Sequence, residues 1–252
     1  MKKIFLVIAV LFSFTALKAE QYESPMLNMT VPSGLEDSQA YFVLNHRFLQ
    51  SLRAYPEGNL YALFDGGVNM NLDFRYMPAW DIEIKFGYTT KNREQTAGLS
   101  YTLKTPGILF NSQFDVQFFS YADYVHNNFD QNLFYLLSLQ SVAFWDDRVV
   151  VSVDAGYDGY NEHIGLGIGA SVEIVSHIRL LAEYYPVFLR EGRSVNVGST
   201  GCYAFGMKLD TFGHQFIFKA GNSPDTGTRR MMLGTTTQDV YIGFTIMRLI
   251  AF

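Results

Sequence analysis

The chain has one cysteine, Cys202, in 252 residues, so no disulfide framework holds it together. Charge is scarce too. Asp, Glu, Lys and Arg make up 17% of the sequence, against 16% aromatic residues and 21 glycines. That balance excludes a disordered tail, a coiled coil and a collagen-like rod. Bases are outnumbered by acids, 19 to 24, and the resulting net charge of −5 argues against a nucleic-acid partner. Metal-ligand spacing is missing as well: His46, His126, His163, His177 and His214 are dispersed, with no His-x-x-His or His-Glu-x-x-His arrangement. The sequence therefore predicts no metal and no cofactor. No serine sits in a nucleophile motif, and beyond the first residues no stretch carries a 3.6-residue apolar period long enough for a helix of about ten residues.

Long apolar runs are confined to the start. Met1, Lys2 and Lys3 precede a mostly apolar run from Ile4 to Leu17, and Ala16-Leu17-Lys18-Ala19 ends on a small residue. This is the pattern of a secretory signal peptide, residues 1–19, with cleavage expected after Ala19. The run is too short for a membrane-spanning helix, which needs about 20 apolar residues, and Glu20, Gln21 and Glu23 follow at once. Because the leader holds three lysines and no acid, its removal leaves a more acidic chain. No cysteine stands at the cleavage point to carry a lipid anchor.

What the rest of the sequence does have is a period of two. Val68, Met70, Leu72, Phe74 and Tyr76 alternate with Asn69, Asn71, Asp73 and Arg75, as only an extended strand requires. The same dyad recurs in 82–88, 97–104, 113–118, 133–139, 149–158, 164–173, 203–209 and 215–219, and more weakly in Gln39 to Phe48, Ile178 to Phe188 and Asp239 to Ile250. With the strand over 66–76, this predicts an all-β fold of about twelve strands. Strands of about ten residues suit a tilted bilayer crossing, and bacterial barrels carry even strand numbers. The connections sort by parity, except that the two around Lys91 and Gly159, placed among the long loops, are shorter and depart from the pattern. Short turns are expected at Met77 to Trp80, Thr105 to Gly107, Trp145 to Asp147, Val175 to His177 and Asp210 to Phe212. Long loops are expected at Leu49 to Asp65, Ala122 to Gln131, Leu189 to Thr200 and Ser223 to Gln238.

A soluble sandwich would alternate in the same way, with apolar residues inside. Three features favour a closed antiparallel transmembrane β-barrel. The polar faces are rich in Gly, Ser, Asn and Gln rather than crowded with charge. Tyr76, Trp80, Tyr88, Tyr101, Trp145 and Tyr203 fall near strand ends, where an interfacial aromatic girdle would stand. The chain closes on Phe252, with Phe244 at the same parity, which looks like the C-terminal strand signal of outer-membrane proteins. The expected organisation is a signal peptide, a periplasmic segment over residues 20–38, and a barrel over 39–252 in the outer membrane of a Gram-negative bacterium. Its partners would be outer-membrane lipid, the barrel-assembly machinery and a small solute.

Several segments resemble a family of bacterial outer-membrane β-barrel proteins known only as a domain of unknown function. The carrying residues are Pro32-Ser33-Gly34-Leu35, His46-Arg47-Phe48, Phe64-Asp65-Gly66-Gly67-Val68-Asn69, Glu183-Tyr184-Tyr185, Thr211-Phe212-Gly213-His214, Asn222-Ser223 and Ile242-Gly243-Phe244. The resemblance implies a barrel and brings no activity with it.

The alternation places Asp73, Arg75, Glu83, Lys85, Asp115, Asp154, Glu173, Glu183, Lys208 and Lys219 toward the lumen, together with Asp81 and Asp158. Acids exceed bases in this set, so an open lumen would favour cations or neutral solutes. Alternatively these charges pair across strands, Arg75 facing Asp81 with Glu83 diagonal to it, and the barrel conducts nothing. Gly165, Gly167 and Gly169 would leave local space inside. The leading functional expectation is a pore or binding barrel for small solutes with a mildly acidic lumen, the second a structural or interaction barrel. A lipid hydrolase comes third, and no residue is assigned a catalytic role.

Overall fold

The computed structural model describes residues 26–54, 66–104, 110–123, 128–141, 148–188, 197–211 and 213–251. The twelve strands are β1 (Gln39–Phe48), β2 (Val68–Ala79), β3 (Ile82–Thr89), β4 (Glu94–Leu103), β5 (Phe110–Asp123), β6 (Asn128–Ser141), β7 (Val149–Asp158), β8 (His163–Val175), β9 (Ile178–Tyr185), β10 (Cys202–Thr211), β11 (His214–Gly221) and β12 (Tyr241–Ala251). Each pairs antiparallel with its sequence neighbour, and β1 pairs antiparallel with β12. The sheet is therefore closed, as a sheet in hydrocarbon must be to leave no backbone edge unpaired.

Local sequence sets the turns at one end of the barrel, called here the turn end. Between β2 and β3, Trp80 and Asp81 both adopt left-handed φ, 60° and 56°, the geometry of a two-residue hairpin turn whose twist matches its strands. A register shift between Tyr76 and Ala79 accommodates it. Gly213 (φ 72°) opens β11. At the opposite, loop end, β5 and β6 pair out to Asp123 and Asn128, so the connection expected to be long is confined to residues 124–127. Strand β9 ends at Tyr185, and β12 begins at Tyr241, each shorter than its alternation implied. The leader, most of the first long loop, and the turns expected around 105–107 and 145–147 lie outside the described residues.

The polarity of the sheet is the reverse of a soluble sandwich. Phe86 (56% exposed), Leu99 (57%), Ile164 (63%) and Phe218 (57%) point outward, whereas Arg47, Glu83, Asp154 and Lys208 are fully enclosed. Of the girdle residues, Tyr76, Trp80 and Tyr101 stand toward the turn end, while Tyr88 and Tyr203 stand toward the loop end. Trp145 lies outside the described residues, as does Phe252. Phe244 faces outward and stacks on His46 at 4.6 Å between ring centroids.

This inversion has a measurable consequence. Leu72 is on the outer face of β2, paired with Leu44 and Tyr88. Leu72→Arg is expected to cost about 2–4 kcal/mol in the bilayer, the range for a cation on the lipid face near the midplane. Asn71→Arg, which extends into a cavity beside Asp73, is expected to cost much less. Denaturant titration of the folded protein in lipid vesicles checks both, and equal losses would contradict the assigned faces.

Candidate functional site

Residues 26–35, Met-Leu-Asn-Met-Thr-Val-Pro-Ser-Gly-Leu, contain no charged side chain. Such a segment needs hydrogen-bond partners for its backbone and a home for Leu27, Met29, Val31 and Leu35. The segment expected to stand in the periplasm finds both inside the barrel, which corrects that expectation. From β1 it rises through the lumen away from the turn end. Leu35 packs with Tyr41, Val43, Met77 and Met247. Ser33 donates its hydroxyl to Glu83 Oε2 (2.6 Å) and its backbone N–H to Gln113 Oε1 (2.9 Å). The Thr30 carbonyl accepts from Ser138 Oγ (2.7 Å). Beyond it, the Glu183 carboxylate accepts the backbone N–H groups of both Asn28 (2.8 Å) and Met29 (3.0 Å), the Asn28 side-chain amide (3.2 Å) and the Tyr185 hydroxyl (3.2 Å). Lys219 Nζ donates to the Leu27 carbonyl (2.9 Å) and to Asn28 Oδ1 (3.3 Å).

A second segment enters from the loop end. The connection between β11 and β12 carries a short helix, α1 (Thr228–Met232), whose residues Thr228, Arg229, Met231 and Met232 are buried. Arg229 donates to Asp158 Oδ2 (2.8 Å) and Glu94 Oε1 (2.6 Å), with its guanidinium 3.7 Å from the Phe119 ring centroid. Arg230 donates to the other Glu94 oxygen (2.7 Å) and lies over Tyr121. Burial alone would lower the Arg230 pKa, but the Glu94 carboxylate outweighs it and raises the pKa above its ordinary value. The two segments meet where Thr228 Oγ1 accepts the Thr30 N–H (2.7 Å) and donates to the Asn28 carbonyl (2.9 Å). Backbone pairing of Thr200 with Thr235 ties the far side of α1 to the β9–β10 connection.

The glycines of β8 do not leave a void. A Cβ at Gly165 would collide with the Met232 side chain, and one at Gly169 would stand 2.6 Å from Met29 Sδ. The space they leave admits the two methionines, so the expected opening is where the plug docks. Most of the inner charges are bonded, and Asp154, whose two carboxylate oxygens are enclosed without a hydrogen-bond partner, is not. Arg75 binds Glu83 through two contacts of 2.9 Å, not Asp81, which sits in the hairpin turn 3.6 Å from Lys104. Lys85 binds Asp115 (2.6 Å), Arg179 binds Glu173 (3.0 Å), Lys208 binds Asp210 (2.9 Å), and Asp73 accepts from the Asn71 amide (2.6 Å). Asp154 is fully enclosed on the inner face of β7. Asp73, Arg75, Glu83, Lys85, Asp115, Asp154, Asp158, Glu173, Glu183, Lys208 and Lys219 stand on the inner side of their strands, whereas Asp81, expected beside them, lies in the half-exposed hairpin turn. Sequence reasoning passed over Arg47, Glu94, Arg179, Arg229 and Arg230, which join the same enclosed set and offset the acid excess inferred from the strands. The one legible hint was the uncharged run 26–35, unsuited to standing free in water.

Plug and wall together leave a cavity of 190 Å³ between the N-terminal segment, α1 and the strands β1 to β6, β11 and β12. Among the described residues, no group of three His, Cys, Asp or Glu side chains is placed to hold a metal ion.

Closure, outward apolar residues and enclosed ion pairs define a membrane-bound β-barrel with an occupied interior. The chain belongs to the family described as membrane bound beta barrel domain (DUF5777), whose model matches residues 26–250. Among solved structures, the barrel is similar to the NanC porin, with 5% identity and a TM-score of 0.52, over 84% of this chain and 99% of that one. It is also similar to the outer-membrane-expressed OmpT of Vibrio cholerae, with 9% identity and a TM-score of 0.39, over 85% of this chain and 78% of that one. No curated protein matches the sequence.

Proposed function

We propose that this protein is an outer-membrane barrel closed in its resting state by its own chain, a binding or interaction barrel and not an open pore. The observation that carries this reading is the enclosed Glu183 carboxylate, which holds the backbone of Asn28 and Met29 within the lumen. A carboxylate taken out of water at such cost is stable only with partners this well aligned, so the segment is a docked part of the structure. What favours closure over the cation-selective pore that the strand charges alone suggest is that most of those charges, Asp154 excepted, are occupied by one another or by the plug. The outer-membrane location is supported by the family and by the porin fold, with lipid and the assembly machinery as the corresponding partners. No catalytic role is assigned.

The test is single-channel recording of the full chain in a planar bilayer. The wild-type protein is expected to show no steady openings under conditions where its folded, heat-resistant form is verified by gel mobility. Sustained cation-selective conductance from that sample would overturn the closed reading.

A further inference from the structure

The 190 Å³ cavity beside the plug is bordered by polar side chains whose bonding is unequal. Its charged members are committed: Arg75 to Glu83, Lys85 to Asp115 and Arg230 to Glu94. Three neutral ones are not. Asn45 Oδ1, Thr245 Oγ1 and Thr226 Oγ1 are enclosed and have no hydrogen-bond partner. They belong to residues 6%, 4% and 6% exposed, all bordering the cavity. Asn45 on β1 and Thr245 on β12 are direct cross-strand partners, so two of the three stand side by side on the wall. Thr226 stands on the approach to α1 and closes the cavity from the plug. Buried polar atoms without partners are rare in folded proteins, and three bordering one cavity call for an occupant.

We infer that this chamber binds a small, uncharged, polyhydroxylated solute, between glycerol and a hexose in size. The volume would hold roughly six waters at about 30 Å³ each, enough for one such molecule with little water left. The chemistry selects the class. A hydroxyl both donates and accepts, so it serves the Asn45 carbonyl oxygen, which only accepts, and the two threonine hydroxyls, which do either. Both signs line the space, Asp73 and Glu94 with Arg75, Lys85, Arg229 and Arg230, so an added carboxylate or ammonium meets like charge as well as opposite charge that is already bonded. A charged congener would have to compete with the pairs Arg75–Glu83, Lys85–Asp115 and Arg230–Glu94, or with the Asn71 amide for Asp73, whereas a neutral polyol leaves all of them intact. The inference goes beyond closure of the lumen, because the chamber lies beside the plug and its occupancy is measured without reference to conductance.

Saturation-transfer NMR on the full-length protein in detergent micelles, with glucose and glycerol as probes, tests it. Saturable binding of at least one polyol is expected, with gluconate and glucosamine at least tenfold weaker than glucose. Asn45→Leu combined with Thr245→Val should weaken binding at least tenfold. Thr226→Val, which leaves the barrel wall untouched, should do the same and keeps the test valid if the wall variant fails to fold. Absence of saturable binding by the wild type means that the chamber holds only water and overturns the proposal. Equal binding by wild type and variants, or equal binding of the charged congeners, overturns it too.

Discussion

Glu183→Ala is expected to free the N-terminal half of the plug. The substitution leaves the Asn28 and Met29 amides without their acceptor and removes the charge facing Lys219, all in enclosed positions. Removing one member of a buried charged network costs about 3–5 kcal/mol, most of it from the groups left unpaired. At about 1.4 kcal/mol per factor of ten, the docked segment would lose roughly two to three and a half orders of magnitude in population relative to its released form. The measurement is hydrogen exchange at the Asn28 and Met29 amides, protected in the wild type and fast in the variant while the barrel ladders stay protected. Glu183→Gln keeps one acceptor oxygen and should fall between. Unchanged protection at both amides in Glu183→Ala would mean that the carboxylate is not what holds the segment. If release also opens a path, the variant should conduct where the wild type does not.

The second large effect falls on the other half of the plug. Arg229 bridges Asp158 on β7 to Glu94 on β4, and it does so stacked against Phe119. Arg229→Ala takes a cation from both carboxylates: Glu94 keeps Arg230, and Asp158 is left with its turn contacts to the N–H groups of Tyr160 and Asn161. The expected cost is again about 3–5 kcal/mol, borne by the docking of α1 and not by the strands. Trypsin reports it directly, because the bond after Arg230 is shielded in the folded barrel and becomes cleavable once α1 leaves the lumen. Arg229→Lys keeps the charge but cannot bridge two carboxylates while lying flat on a ring, and should be intermediate. A double variant, Arg229→Met with Glu94→Gln, should lose less than the sum of its parts, since each change removes the charge that the other would strand. Resistance to trypsin at Arg230 in Arg229→Ala would remove this ion pair from the account of closure.

Particular residues show which parts of this were legible beforehand. Phe74 and Phe86 alternate with Asp73 and Lys85, and that pattern alone assigns opposite faces, because successive side chains of a strand point to opposite sides whatever lies around them. The inward charges follow from the same rule. Arg75 shows where the rule stops. Alternation placed it inside, but its partner depends on how the Trp80-Asp81 turn shifts the register, and the structure pairs it with Glu83. The β8 glycines were likewise visible as a small-residue face, yet whether that face was an opening or a socket depended on Met29 and Met232, which no local pattern connects to it.

The sequence by itself determined the strand count, the closed antiparallel sheet and its inverted polarity, because each of these rests on periodicity and on short turns between neighbours in the chain. Only the tertiary structure decided what fills the barrel. Asn28 meets Glu183 across 155 positions, and Arg229 meets Glu94 across 135. Contacts that distant exist only once the sheet has closed, when carboxylates enclosed on its inner wall need cations and N–H donors and the chain's own uncharged segment and helical loop are there to supply them.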